Sequence, residues 1–165
     1  MAVHPVRKAL RDPMRCSVTL VLVVSLMALF SCTGNRPSDL GVAEGRLRPC
    51  PDTPNCVSTT ADDTEHSIPP LDLAVAPAVA WPEVQAAVAA IPRCRVVTAT
   101  ADYLHAEVSS AVFGFVDDLE VYLPAQGNTL TVRSASRLGH SDFGVNRKRV
   151  AALREALVER GVVRR

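Results

Sequence analysis

The chain has 165 residues, 48% of them hydrophobic but only 4% aromatic, and a formal net charge of +1. Once a leader is set aside, that length leaves one domain of about 100 residues, with Val, Leu, Ile and Ala supplying most of its buried area. Near-neutral charge, without a basic patch interleaved with aromatics, argues against nucleic acid as a partner. The neutrality is a balance between halves: Cys50 to Glu120 carries eleven acidic residues against Arg93 and Arg95, whereas Arg133 to Arg165 carries nine basic against three acidic. The two halves complement one another within one fold.

Arg7, Lys8, Arg11 and Arg15 precede an uncharged run from Ser17 to Phe30, the basic and apolar regions of a secretory signal. Those fourteen residues would rise about 21 Å as a helix, short of the ~30 Å hydrocarbon core. The run ends in Leu29-Phe30-Ser31-Cys32, which resembles the lipobox of bacterial lipoproteins, although Phe30 departs from the usual small or β-branched residue. The expectation is a signal peptide over 1–31 and a diacylglyceryl anchor on Cys32, an attachment of more than one acyl chain and therefore stable. The membrane is then the first expected partner, and the location is the cell envelope, facing the periplasm or exterior. Thr33 follows Cys32 where Asp would mark retention at an inner membrane. The same leader also reads well from Met14.

Residues 32–46 are polar and rich in Gly, Pro, Asn and Ser; they read as a flexible tether that lets a single domain at 47–160 stand off the bilayer. Cys50-Pro51-Asp52-Thr53-Pro54-Asn55-Cys56 follows, its backbone restricted between two cysteines. In an oxidising envelope a Cys50–Cys56 disulfide is the first reading. The spacing lacks the second ligand pair of a zinc site and is not C-x-x-C. Cys94 falls in an expected core strand as a buried thiol, with a Cys56–Cys94 bridge left open.

Val57 to Ala80, with its acidic residues and Ile68-Pro69-Pro70-Leu71, reads as extended surface chain. Trp81-Pro82-Glu83 then opens a helix over 82–91, with Val84, Ala87, Val88 and Ile91 on one face and Pro92 as stop. Strands are expected at 93–100, 103–109, 112–123 and 129–136. Leu104, Ala106 and Val108 share one face of the second, with Tyr103, His105 and Glu107 opposite; a lone strand histidine is ordinarily a solvated or hydrogen-bonded bystander. In the last two strands, matching apolar faces sets Leu123 against Leu130 and Val121 against Val132, which places Glu120 opposite Arg133. A closing helix over 146–160 has Asn146 as N-cap, Val150, Leu153 and Leu157 as its buried stripe, and Gly161 as stop. The fold class is α+β: a small antiparallel sheet of about four consecutive strands packed with two helices.

Arg147, Lys148 and Arg149 sit in the first turn of that helix, where the dipole disfavours cations by about 0.3–1 kcal/mol each. Either the acidic group Asp117, Asp118 and Glu120 folds back on them, or an anion binds there with help from Arg133, Ser134, Ser136 and Arg137. Ser141, Asp142 and Asn146, in the intervening loop and at the helix start, complete the candidate set for a salt network or a small anionic or polar ligand. Strand alternation turns Asp117 away from Asp118 and Glu120, which weakens a metal site; no metal or cofactor is expected. Hydrolysis by Asp117 or Asp118 with Ser141 and His140 is the alternative, but no G-x-S-x-G elbow, H-E-x-x-H helix or P-loop accompanies them. A binding or structural domain without turnover is the leading expectation.

CPDTPNCVS at 50–58, FVDDLE at 115–120 and RSASRLGHSDFGVNRKRV at 133–150 resemble the motifs of the bacterial family catalogued as domain of unknown function 1499. The resemblance runs from about Leu47 to Val158. It implies an envelope or membrane-associated protein with no established activity, and it supplies no catalytic residues. His140 stands where the motif has an aromatic or polar residue before Ser-Asp.

Overall fold

The computed structural model describes residues 34–165; the expected signal peptide and the expected lipidation at Cys32 lie outside the described residues. Val42–Ala43 (β1) and Arg46–Leu47 (β2) form a hairpin. Its turn residues Glu44 and Gly45 both have positive φ, 52° and 75°, as a type I′ turn requires. The main sheet contains Cys56–Ser58 (β3), Leu71–Asp72 (β4), Cys94–Ala99 (β5), Tyr103–Ser109 (β6), Val116–Tyr122 (β7) and Thr129–Ser136 (β8). Its order is β3-β8-β7-β6-β5, with β4 also beside β8, and every pairing is antiparallel. Two helices, Pro77–Ala89 (α1) and Val145–Glu159 (α2), complete an α+β architecture.

The four expected strands are present, with one correction of extent. Residues 112–115 lie in the β6–β7 loop, where Gly114 takes a φ of 67° and the Ser110 N–H donates to the Phe115 carbonyl at 2.8 Å. The short β3 and β4 and the β1–β2 hairpin were not expected, because two or three residues carry no readable alternation. Helix α1 begins five residues before the expected position, at Pro77. Pro82 lies inside it and cannot donate to the Ala78 carbonyl; Ala78 is an exposed residue, where water can take the donor's place.

One face of the sheet carries the core. Leu104 and Ala106 of β6, Leu119 and Val121 of β7, and Leu130 and Val132 of β8 pack with Val84 and Val88 of α1 and Val150, Leu153 and Leu157 of α2, all at most 2% exposed. Trp81 is buried beside them and donates its indole N–H to the Thr100 carbonyl at 2.9 Å. Helix α2 ends as expected: Gly161 has φ of 70°, its N–H donates to Val158 and that of Val162 to Leu157, the paired bonds of a Schellman motif. The domain does not stop at 160. Val162 and Val163 join the core, and backbone bonds tie Ala74 to Val162 and Arg164 to Asp72.

The expected register of the last two strands is present, with Val121 opposite Val132 and Glu120 opposite Arg133. Strand β7 is buried on both sides along its whole length, its polar side included. The covering chain is the segment read as a tether together with the first residue of the expected domain. Arg36 reaches Glu107, the Gly41 N–H donates to Glu120 at 2.9 Å, and Leu47 is buried. The carboxylates lining the sheet give this polar segment its binding partners. Strand β5 lies at the sheet's edge, with a register shift between Val96 and Thr98.

Candidate functional site

Alternation along β6, β7 and β8 puts Tyr103, His105, Glu107, Asp118, Glu120 and Arg133 on the face away from the helices, with Arg137 just beyond the end of β8. Their charges are joined into a network. Glu120, fully buried, accepts from Arg133 Nη1 at 3.2 Å, from the Tyr103 hydroxyl at 2.9 Å and from the Gly41 N–H at 2.9 Å. Asp118 accepts from Arg137 through Nε at 2.9 Å and Nη2 at 2.7 Å, and from His105 Nε2 at 2.7 Å. Glu107 accepts from Arg137 at 2.6 Å and Arg36 at 2.6 Å, and also pairs with Arg95.

Burial opposes the charges on Asp118 and Glu107, yet the guanidinium hydrogen bonds outweigh it. Both carboxyls lie below their usual range, Glu107 at about 2. Hydrogen bonding to Asp118 raises Arg137 above the ordinary guanidinium value. Burial, reinforced by Glu120, pushes the Tyr103 phenol up and keeps it a neutral donor. Burial also draws Arg133 down; Glu120 resists this and the neighbouring charge of Arg48 adds to it.

Asp117 is on the helix face, as alternation predicts, and there it meets the first turn of α2. Arg149 donates to Asp117 at 2.5 Å and to Ser134 Oγ at 2.9 Å, and pairs with Asn146 Oδ1. Arg147 turns elsewhere, to the backbone carbonyls of Glu65 and Ser67, both at 2.7 Å. The three carboxylates therefore do not fold back on the helix start together.

Asn146 is not the N-cap. The cap position is Gly144, at φ of 74°, and the Asp142 carboxylate accepts from the Gly144 N–H at 2.9 Å and the Asn146 N–H at 2.7 Å. That places a negative charge where the dipole favours it. The side chain of Asn146 is buried. It donates to the Asn55 carbonyl and to Ser136 Oγ, each at 3.0 Å, and accepts from Ser134 Oγ at 2.6 Å.

The Cys50–Cys56 disulfide is present and Cys94 is free, so the Cys56–Cys94 alternative is overturned. The bridge closes the loop that presents Asn55, whose Nδ2 donates to the Gly139 carbonyl at 2.6 Å and whose Oδ1 accepts from Thr53. Between this loop, the polar face and the start of the β8–α2 loop lies a cavity of ≈ 270 Å³, walled by Arg48, Asn55, Asp118, Arg133, Ser136 and Arg137. Arg133 Nε is buried and has no hydrogen-bond partner among the described residues. Ser141 and His140 are exposed, and the Ser141 hydroxyl accepts from the Phe143 N–H at 3.3 Å.

Glu107, His105, Arg36, Arg48 and Asn55 belong to this assembly and were not among the expected site residues. For Glu107 and His105 the signal was available: facing β6 against β7 by their apolar positions sets both opposite the acidic pair. Arg36 and Arg48 come from irregular chain with no periodicity to place them. A family model described as "Protein of unknown function (DUF1499)" matches residues 46–157, more than half of the chain and including every strand of the main sheet. No curated protein matches the chain.

Proposed function

The chain belongs to the DUF1499 family, whose description names no activity, and from its site we propose a lipid-anchored envelope domain that holds a small anionic ligand in the cavity beside Arg133, without turnover. The observation that carries this reading is the buried Arg133 Nε without a partner among the described residues, on a guanidinium that walls a cavity shared with Arg48 and Arg137. Buried donors are ordinarily satisfied, and a carboxylate or phosphate oxygen satisfies a guanidinium best. Asp118 on the same wall is already held by Arg137 and His105, and Arg48 pairs with Asp39, so Arg133 is the cavity cation with a buried donor left over. At ≈ 270 Å³ the space suits a small acid or phosphate rather than a drug-sized molecule.

Hydrolysis is the weaker reading. Asp117 is engaged by Arg149, Asp118 by Arg137, and Ser141 by a backbone N–H, so these three residues form no nucleophile–base pair with one another. The anchor is inferred from the leader and Leu29-Phe30-Ser31-Cys32, and intact mass of the membrane-extracted protein tests it: a mature chain that does not begin at Cys32 with added lipid mass overturns it.

Thermal unfolding of the detergent-solubilised protein, followed by Trp81 emission, tests the ligand. Inorganic phosphate or acetate should raise the midpoint above that in chloride of equal ionic strength, because a ligand of the folded state stabilises by mass action, about 2.7 kcal/mol at a hundred times Kd. The gain should vanish in Arg48→Ala. No gain with either anion, or an equal gain in the variant, overturns the reading.

A further inference from the structure

Strands β6, β7 and β8 run antiparallel, so the β6–β7 loop and the β8–α2 loop leave the sheet at the same end, tied by the Arg137 N–H to the Val116 carbonyl at 3.2 Å. Large apolar side chains project there into solvent: Val112 is 81% exposed, Phe113 68% and Phe143 89%, with Phe115 and Leu138 beside them. The Phe113 and Phe115 rings lie 5.8 Å apart. A single exposed apolar residue needs no explanation, but five of them on two adjacent loops form a patch, and patches mark interaction surfaces.

The N-terminal end of the described chain lies at this same place. A Cβ on Gly34 would come within 2.9 Å of Arg137 Cβ and 3.0 Å of Leu138 Cγ, so the Gly34 backbone rests against the β8–α2 loop. Cys32 is two residues upstream, a span of at most about 7 Å. A lipid on Cys32 thus leaves the domain beside the aromatic tips, with no spacer to hold the domain away. Around this end stand exposed cations: Arg93 at the start of β5, Lys148 in the first turn of α2, and Arg95, whose side chain is 68% exposed even while paired with Glu107.

We infer that this end is a membrane-docking face, on which Phe113 and Phe143 enter the interface of the leaflet holding the anchor and the cations meet its anionic headgroups. Apolar tips ringed by Arg and Lys are the pattern of interfacial binding, and two weak signals together make attachment stable. The inference rests on the lipid-anchor reading above. It reverses the picture of a domain standing off the bilayer.

The test uses the lipid-modified chain in vesicles of phosphatidylcholine and phosphatidylglycerol brominated near the glycerol end of the acyl chains. Tryptophan is placed singly by Phe113→Trp, Phe143→Trp and, at the opposite end of the sheet, Gln126→Trp; buried Trp81 gives a constant background. Bromine should quench the first two and spare the third. If intact mass shows no lipid on Cys32, the anchor reading fails and the inference with it. If the lipid is present but neither loop is quenched, the inference alone is overturned. Protection of the indole in the Phe143→Trp variant from aqueous iodide, without quenching by bromine, also overturns it, and assigns the patch to a second copy or another protein.

Discussion

Arg137 grips Asp118 with two parallel hydrogen bonds, Nε to Oδ2 at 2.9 Å and Nη2 to Oδ1 at 2.7 Å, and the same Nη2 reaches Glu107 at 2.6 Å. The side chains of Arg137 and Asp118 are 6% and 2% exposed. Removing the guanidinium leaves buried Asp118 with His105 alone and takes one of three cations from Glu107. Arg137→Ala should therefore lower stability by about 3–5 kcal/mol in urea unfolding, and Arg137→Lys should recover little because an ammonium lacks the planar fork. A cost below about 1 kcal/mol, the range of exposed ion pairs, would show that the network is not structural.

Acid should weaken the fold through the same residues. Burial works against the charge on Glu107, but bonds from Arg137, Arg36 and Arg95 hold its pKa at about 2, below its ordinary 4.5. A depressed carboxyl contributes stability above its unfolded pKa and loses it as pH falls through the folded value. Asp118 has the same sign. The thermal midpoint should thus fall from about pH 4.5 towards about pH 2, and Glu107→Gln should flatten that limb. An unchanged acid limb in the variant would locate the sensitivity elsewhere.

His66 should act in the opposite direction. Its Nδ1 lies 2.8 and 2.9 Å from the Asp63 carboxylate oxygens and its Nε2 3.1 Å from the Thr53 carbonyl, so both nitrogens face acceptors. The hydrogen bond to Asp63 raises the imidazole above its ordinary 6.5 despite burial. A raised pKa contributes stability below the unfolded value and loses it as pH climbs through the folded one. NMR titration should place His66 above 6.5, and Asp63→Asn should bring it down; a value unaffected by that substitution refutes the assignment.

Asp142, rather than Asn146, should behave as the cap of α2. Asp142→Ala should cost about 0.5–2 kcal/mol. Asn146→Ala should cost more, since it leaves the Asn55 carbonyl, Ser134 and Ser136 without a shared partner in the interior. Paired denaturation curves decide the order; a larger loss for Asp142 would refute it.

The central strands were legible because period-two alternation acts on every residue at once. In β7 and β8 a slip of one place would have set all the apolar side chains against polar neighbours, so the Glu120–Arg133 pairing followed from Val121 and Val132. What alternation could not show was burial of the polar side. That comes from Leu47 and from Arg36 and Gly41, the latter two in chain whose Gly, Pro and Ser read as a flexible tether, and whose order depends on the distant carboxylates it binds. Asn146 was misassigned as cap for a related reason. Asn suits a cap locally, but the Asn55 carbonyl and Ser134 compete for its side chain across the fold, and Asp142 is free to replace it.

The register shift in β5 bears on how neighbouring molecules meet. A straight edge strand is a template for another chain's hydrogen bonds. Here the ladder breaks between Val96 and Thr98, and charged Arg95 lies beside the break. A bulge bends and twists the strand that carries it, so an incoming chain finds only Cys94–Val96 on one side and Thr98–Ala99 on the other. Crowded copies can collide edge to edge without zipping into a continuous sheet, which guards the domain against aggregation at high local concentration.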